Sequence, residues 1–143
     1  MSKDIYVELI KKAEEVKKKA YVPYSNYHVG ASVLTKSGKI YTGCNIESAS
    51  YTPTICAERT AVFKAVSEGD IEIEAIAVIG DSEYTFPCGV CRQVIREFGK
   101  NIKVIIAKSE EDYKVFTLDE LLPHSFGPEN LKQSQAGRKQ HVL

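Results

Sequence analysis

Cys56, Glu58 and Arg59 stand close together in "TICAERTAVFKA", and some thirty residues on Cys88 and Cys91 enclose two residues in "TFPCGVCRQ". A Cys-x-x-Cys pair by itself serves redox and metal chemistry about equally well. Cys56 shifts that balance, because it and the pair each open a predicted helix. Three thiolates at two helix starts can converge, each favoured by the partial positive charge of a helix N-terminus. Three protein ligands on zinc leave a fourth position for water, which distinguishes a catalytic site from a closed structural one. The fourth cysteine, Cys44, would close the site; following Gly43 within a predicted strand, it is expected instead as a small core residue. Glu58 is placed to act as a base beside the metal without ligating it, although an acid in a helix's first turn is also favourable in its own right. A divalent metal with three thiolates carries net negative charge, which weakens it as a Lewis acid. Arg59 and Arg92 are the cations near enough in sequence to offset this.

The elements that must position these groups follow from periodicity. Ile5, Leu9, Ala13, Val16 and Ala20 recur at three- and four-residue steps, predicting an amphipathic helix over 4–20 that Pro23 ends. "HVGASVLT" and "IYTGCNIE" read as a hairpin about the turn "KSGK". Thr54 is the expected N-cap of a helix running to Glu68. "IEAIAVIG" lacks polar alternation and suits a strand covered on both faces. A helix over 88–99 with Val90, Val94, Ile95 and Phe98 on its apolar side then leads to the strand "IKVIIAKS", a crossover that sets two strands parallel. "KVFTL" follows too soon for another crossover and should return antiparallel. "LDELLP" reads as a helical turn, and residues 129–143 as a polar tail. The expected fold is α/β, a three-layer α/β/α sandwich with a mixed five-stranded sheet whose last strand is antiparallel, in one domain over 1–143.

Nineteen basic and nineteen acidic residues cancel, so nothing in the charge count points to nucleic acid. No stretch approaches the ~20 apolar residues of a membrane span, and "MSKDIYVELIKK" lacks the apolar centre of an export signal. A cytoplasmic setting is expected, where four cysteines argue for thiolate or metal chemistry over disulfides.

"CAE" followed by "PCGVC" resembles the zinc deaminase motif, and the resemblance extends over "PYSNYHVGA", "GCNIE", "KAVSEG" and "LLPHSFGPE". It is closest to the small homotetrameric cytidine deaminases, in which cysteine stands where the nucleic-acid deaminases have histidine. The resemblance implies one zinc per subunit on Cys56, Cys88 and Cys91. It also implies hydrolytic deamination of cytidine and deoxycytidine to uridine and deoxyuridine, with Glu58 moving protons from the attacking water to N3 and the departing amine. Asn45 and Glu47, two apart on a predicted strand, match residues that hold the nucleoside. Ala57 matches a position whose backbone reads the pyrimidine edge, and Tyr27 an aromatic that packs on the base. Tyr51 and Phe126 match aromatics contributed across subunit boundaries, which implies a homotetramer with shared sites. Other readings remain open on the sequence: deamination of blasticidin S on the same motifs, editing of nucleic-acid bases, and a zinc-stabilised binding module in which Cys44 completes a four-sulfur site.

Overall fold

The computed structural model describes residues 2–131. The central strand has the composition that being covered on both faces requires: β3 (Ile73–Gly80) alternates its buried side chains between two layers of helix. Ala75, Ala77 and Ile79 meet Leu9, Ile10 and Ala13 of α1 (Lys3–Lys17) on one face. Ile76 and Val78 meet Ala61 and Val62 of α2 (Ala57–Ser67) and Ile95 of α3 (Gly89–Arg96) on the other. Burying each such isoleucine, leucine or valine side chain contributes about 1.5–3 kcal/mol, which makes this strand the anchor of both cores.

β1 (Val29–Thr35) and β2 (Ile40–Cys44) form the expected antiparallel hairpin, with Gly30 opposite Cys44. β1 also pairs antiparallel with β3, β3 pairs parallel with β4 (Lys103–Ala107), and β4 pairs antiparallel with β5 (Tyr113–Thr117). The sheet order is β2-β1-β3-β4-β5, and α4 (Leu118–Leu121) follows behind a Thr117–Glu120 capping box. This is the mixed five-stranded three-layer sandwich that periodicity predicts. The parallel β3–β4 pair, with α3 as its crossover, brings α3 beside α2 on the same face of the sheet.

Three local expectations are corrected. Thr54 does not cap α2: its hydroxyl accepts from the Ser48 amide at 3.0 Å, Ile55 bridges to Ile46, and the cap falls on Cys56. β2 stops at Cys44, so Asn45 and Glu47 lie in an irregular connection beyond it, where Ile46 bridges both Tyr21 and Ile55. Val90 is exposed, so the apolar side of α3 rests on Ile95 with Val94 and Phe98 packed against it. The expected tail overlaps the structure over 129–131, and the rest of it, 132–143, lies outside the described residues.

Candidate active site

Cys56 and Cys88 are both N-caps in extended backbone conformation, and Cys91 lies in the first turn of α3. Neither capping thiol bonds its own helix amides. Instead the sulfurs turn toward one another: Cys56 Sγ is 4.0 Å from Cys88 Sγ, which is 3.6 Å from Cys91 Sγ, and all three lie within 4.8 Å. All three are free thiols. Tetrahedral zinc with sulfur ligands at ~2.3 Å requires sulfur separations of about 3.8 Å, so these three residues fit the ion as they stand. Among the described residues this is the one such group. Cys44 is not part of it; it lies buried at the end of β2, where burial raises its thiol pKa. The group therefore offers three ligands rather than four. Cys91 is buried while Cys88 is exposed, so the centre opens toward solvent on one side.

Close packing of α2 on β2 fixes where Cys56 begins. A Cβ on Gly43 would lie 2.4 Å from the Ala61 amide nitrogen and 2.8 Å from the Ala57 carbonyl, so only glycine lets the helix approach this closely. Ala57 is fully buried as the first residue of that helix.

The electrostatics of the centre come from its neighbours. Arg59 Nη2 donates to Cys56 Sγ at 3.4 Å, and its Nε is buried with no partner among the described residues. Hydrogen bonding from Cys91 and then from Arg59 lowers the Cys56 pKa, whereas hydrogen bonding to Cys56 and then burial raise that of Cys91. A thiolate is thus favoured at the helix start that faces a guanidinium. Glu58, only 4 % exposed, has its pKa raised to about 7, by burial first, with the negative charge on Cys56 adding to the effect. Among the described residues Arg92 makes no hydrogen bond to sulfur; it donates to the Pro87 carbonyl at 2.7 Å and the Leu121 carbonyl at 2.8 Å, tying the turn before Cys88 to α4.

The remaining sequence-derived residues surround a different segment. Asn45 accepts from the Val29 amide at 2.9 Å and donates to the Tyr27 carbonyl at 2.8 Å. One Glu47 oxygen accepts the Tyr24 and Ser25 amides at 3.0 and 3.1 Å, and the other accepts the Ser25 hydroxyl. The two side chains therefore pin the stretch from Tyr24 to Val29. Tyr27 itself bonds Thr85 Oγ1 at 2.8 Å and Ser82 Oγ at 3.2 Å, linking that stretch to the loop entering α3. Tyr51 is 74 % exposed at φ 63° and meets Tyr24 edge-on at 6.4 Å across a cleft of about 250 Å³ that Glu47 also lines. Phe126 is 59 % exposed.

Sequence reasoning missed several groups in this second region. Ser25 bonds Glu47 and accepts the Tyr27 amide at 3.1 Å. Asp81 accepts the His28 amide at 2.6 Å and approaches its Nδ1 at 2.8 Å, with Lys17 at 3.5 Å from the other oxygen. The one available signal was compositional, a run of polar and aromatic residues in "PYSNYH" without periodicity.

Residues 3–108 match the family model described as the cytidine and deoxycytidylate deaminase zinc-binding region. The chain is 46% identical over 126 residues to a cytidine deaminase of Sporosarcina psychrophila, covering 87% of this chain and 93% of that one. It is 47% identical over 125 residues to one from Halalkalibacterium halodurans, covering 86% and 95%. The crystal structure of cytidine deaminase from Burkholderia pseudomallei superposes with a TM-score of 0.79 at 44% identity, over 83% of this chain and 97% of that one. With its fold, its three-sulfur centre and these likenesses in agreement, the chain belongs to the cytidine and deoxycytidylate deaminase family.

Proposed function

We propose that this protein hydrolyses the amine from cytidine, consuming water and releasing ammonia and uridine. The observation that carries this reading is the open group of three sulfurs with a buried, non-ligating carboxyl, Glu58, beside Cys56. Cys56, Cys88 and Cys91 would hold one zinc per subunit. When bound, zinc supplies a Lewis acid that makes water acidic enough to react near neutral pH. Glu58 accepts the proton of the attacking water and delivers protons to N3 and to the departing amine, so that a C4–O bond replaces the C4–N bond. Its burial excludes bulk water as a competing proton carrier. Arg59 tunes the charge of the sulfur group through Cys56.

The substrate sits between this centre and the Tyr24–Val29 stretch. Asn45 keeps an unused N–H and Glu47 an unused lone pair after their backbone bonds are counted, which suits them to sugar hydroxyls. Tyr27 packs on the base and the backbone at Ala57 reads its edge. Tyr51 and Phe126, large aromatics held outside any core of their own subunit, complete neighbouring sites, so the active form is a homotetramer. Deoxycytidine is a second substrate, and the reaction belongs to salvage of pyrimidine nucleosides. The protein works in the cytoplasm as a single domain over 1–143; among the described residues no helix is long and apolar enough to cross a membrane. Stoichiometric ammonia release from cytidine by the zinc-loaded protein tests the reading, and a zinc-loaded tetramer that releases none overturns it.

A further inference from the structure

Arg96, the last residue of α3, is 2 % exposed although it is charged, and nothing in the chemistry above uses it. A guanidinium removed from water is costly unless its donors are satisfied, so its partners indicate its role. They all belong to one stretch, the connection at 125–127 and the helical turn at 128–131 that follows it. Nε donates to the Ser125 hydroxyl at 2.6 Å, and Nη2 pairs with the Glu129 carboxylate. Between them the Gly127 backbone lies against the guanidinium: a Cβ there would fall 2.4 Å from Cζ and Nη1. One turn earlier on the same helix face, Gln93 Nε2 donates to the Phe126 carbonyl at 2.9 Å. Gln93 thus bonds the backbone of Phe126, and Arg96 bonds the side chains of Ser125 before it and Glu129 beyond it while packing on Gly127; the Phe126 ring itself is 59 % exposed.

Tying a residue's own carbonyl and the side chains that flank it to one helix, through a buried charge, limits the directions in which that residue's side chain can point. From this geometry we infer that Arg96, assisted by Gln93, is a positioning residue that aims Phe126 at the substrate of an adjacent subunit. This rests on the proposal above that Phe126 completes a neighbour's site. It adds a link that proposal lacks: the helix that begins at two sulfurs of its own centre ends at the group that orients an aromatic for another subunit's centre, about 7 to 8 Å of helix further on from Cys91. Pre-organising the ring lowers the ordering cost of substrate binding and leaves the proton transfers untouched.

The test is a double-mutant cycle on the zinc-loaded tetramer, pairing Arg96→Gln with Phe126→Ala and reading KM, kcat, zinc content and assembly state. Arg96→Gln is expected to raise KM for cytidine about tenfold, within the range of a lost base–aromatic contact, with kcat within about twofold and one zinc per chain retained. In the Phe126→Ala background it should raise KM no further, since the ring it aims is gone. A general structural role would instead add its full effect in both backgrounds, and that result overturns the inference. If Phe126→Ala raises KM while Arg96→Gln does not, the shared-site reading stands and the positioning role falls. If Phe126→Ala leaves KM unchanged, both fall. Should Arg96→Gln fail to fold, Gln93→Ala, an exposed side chain making one bond to the Phe126 carbonyl, carries the same cycle with a smaller expected rise and the same deciding outcomes.

Discussion

The sulfur centre and the Tyr24–Val29 stretch are built in opposite ways. At the centre, Cys56, Glu58 and Arg59 occupy the cap and first turn of one helix and Cys88 and Cys91 those of another, so local helix geometry places all five. The Tyr24–Val29 stretch has no such frame: Asn45, Glu47, Asp81, Ser82 and Thr85 reach it from remote parts of the chain and bond its backbone and side chains. Chemistry that needs fixed geometry sits on rigid elements, whereas the surface proposed to meet the nucleoside is assembled from long-range hydrogen bonds whose removal should be felt in substrate affinity and stability before the metal is disturbed.

Breaking the first region should have the largest effect. Serine at Cys56, Cys88 or Cys91 is expected to abolish zinc retention and reduce deamination to background, whereas Cys44→Ser keeps one zinc per chain. Metal analysis of the four purified variants checks this, and zinc loss from the Cys44 variant would restore the four-sulfur structural reading. In the second region, Asn45→Ala leaves the Val29 amide and the Tyr27 carbonyl without their partner. It should cost about 1–3 kcal/mol of stability in chemical denaturation and raise KM, with zinc content unchanged. Tyr27→Phe keeps the ring and removes only the bonds to Thr85 and Ser82, so a loss of about 0.5–1.5 kcal/mol is expected.

The smallest effect is one of pH. The Ser25 hydroxyl, with the Ser25 and Tyr24 amides, holds the Glu47 pKa below its ordinary 4.5. A carboxyl depressed on folding stabilises the protein above its unfolded pKa, and that contribution disappears as the pH falls through the folded value. Glu47→Gln should therefore melt below wild type at neutral pH, with the gap closing as the solution is acidified below about 4.5. A gap that stays constant across that range would mean Glu47 is not held ionised by these bonds.

The same division governed what could be read in the sequence. The sheet and its helices were legible because Leu9, Ala13, Ile76, Val78 and Ile95 follow the periods that burial imposes. The three sulfurs were legible because their spacing and their places at helix starts are local properties. Thr54 looked like a cap because its type suits one, but a competing bond to Ser48 claims its hydroxyl and moves the helix start to Cys56. Asn45 and Glu47 were read as neighbours on a strand face; Ile46 pairing with two other segments ends the strand before them. Arg96 gave no signal at all, since a charged residue at a helix end reads as solvent-facing and its partners Ser125 and Glu129 lie in a segment without periodicity.

The most direct measurement is made on zinc-loaded Glu58→Gln. The substitution keeps the side chain's size and removes its ability to take a proton, while leaving all three sulfur ligands in place. Ammonia release from cytidine should fall by at least ~10² to 10⁴-fold, the contribution of a positioned general acid–base, with one zinc per chain and an unchanged assembly state. A variant that holds its zinc and still releases ammonia at close to the wild-type rate would contradict the assignment of Glu58 as the proton carrier, and with it the chemistry proposed for the site.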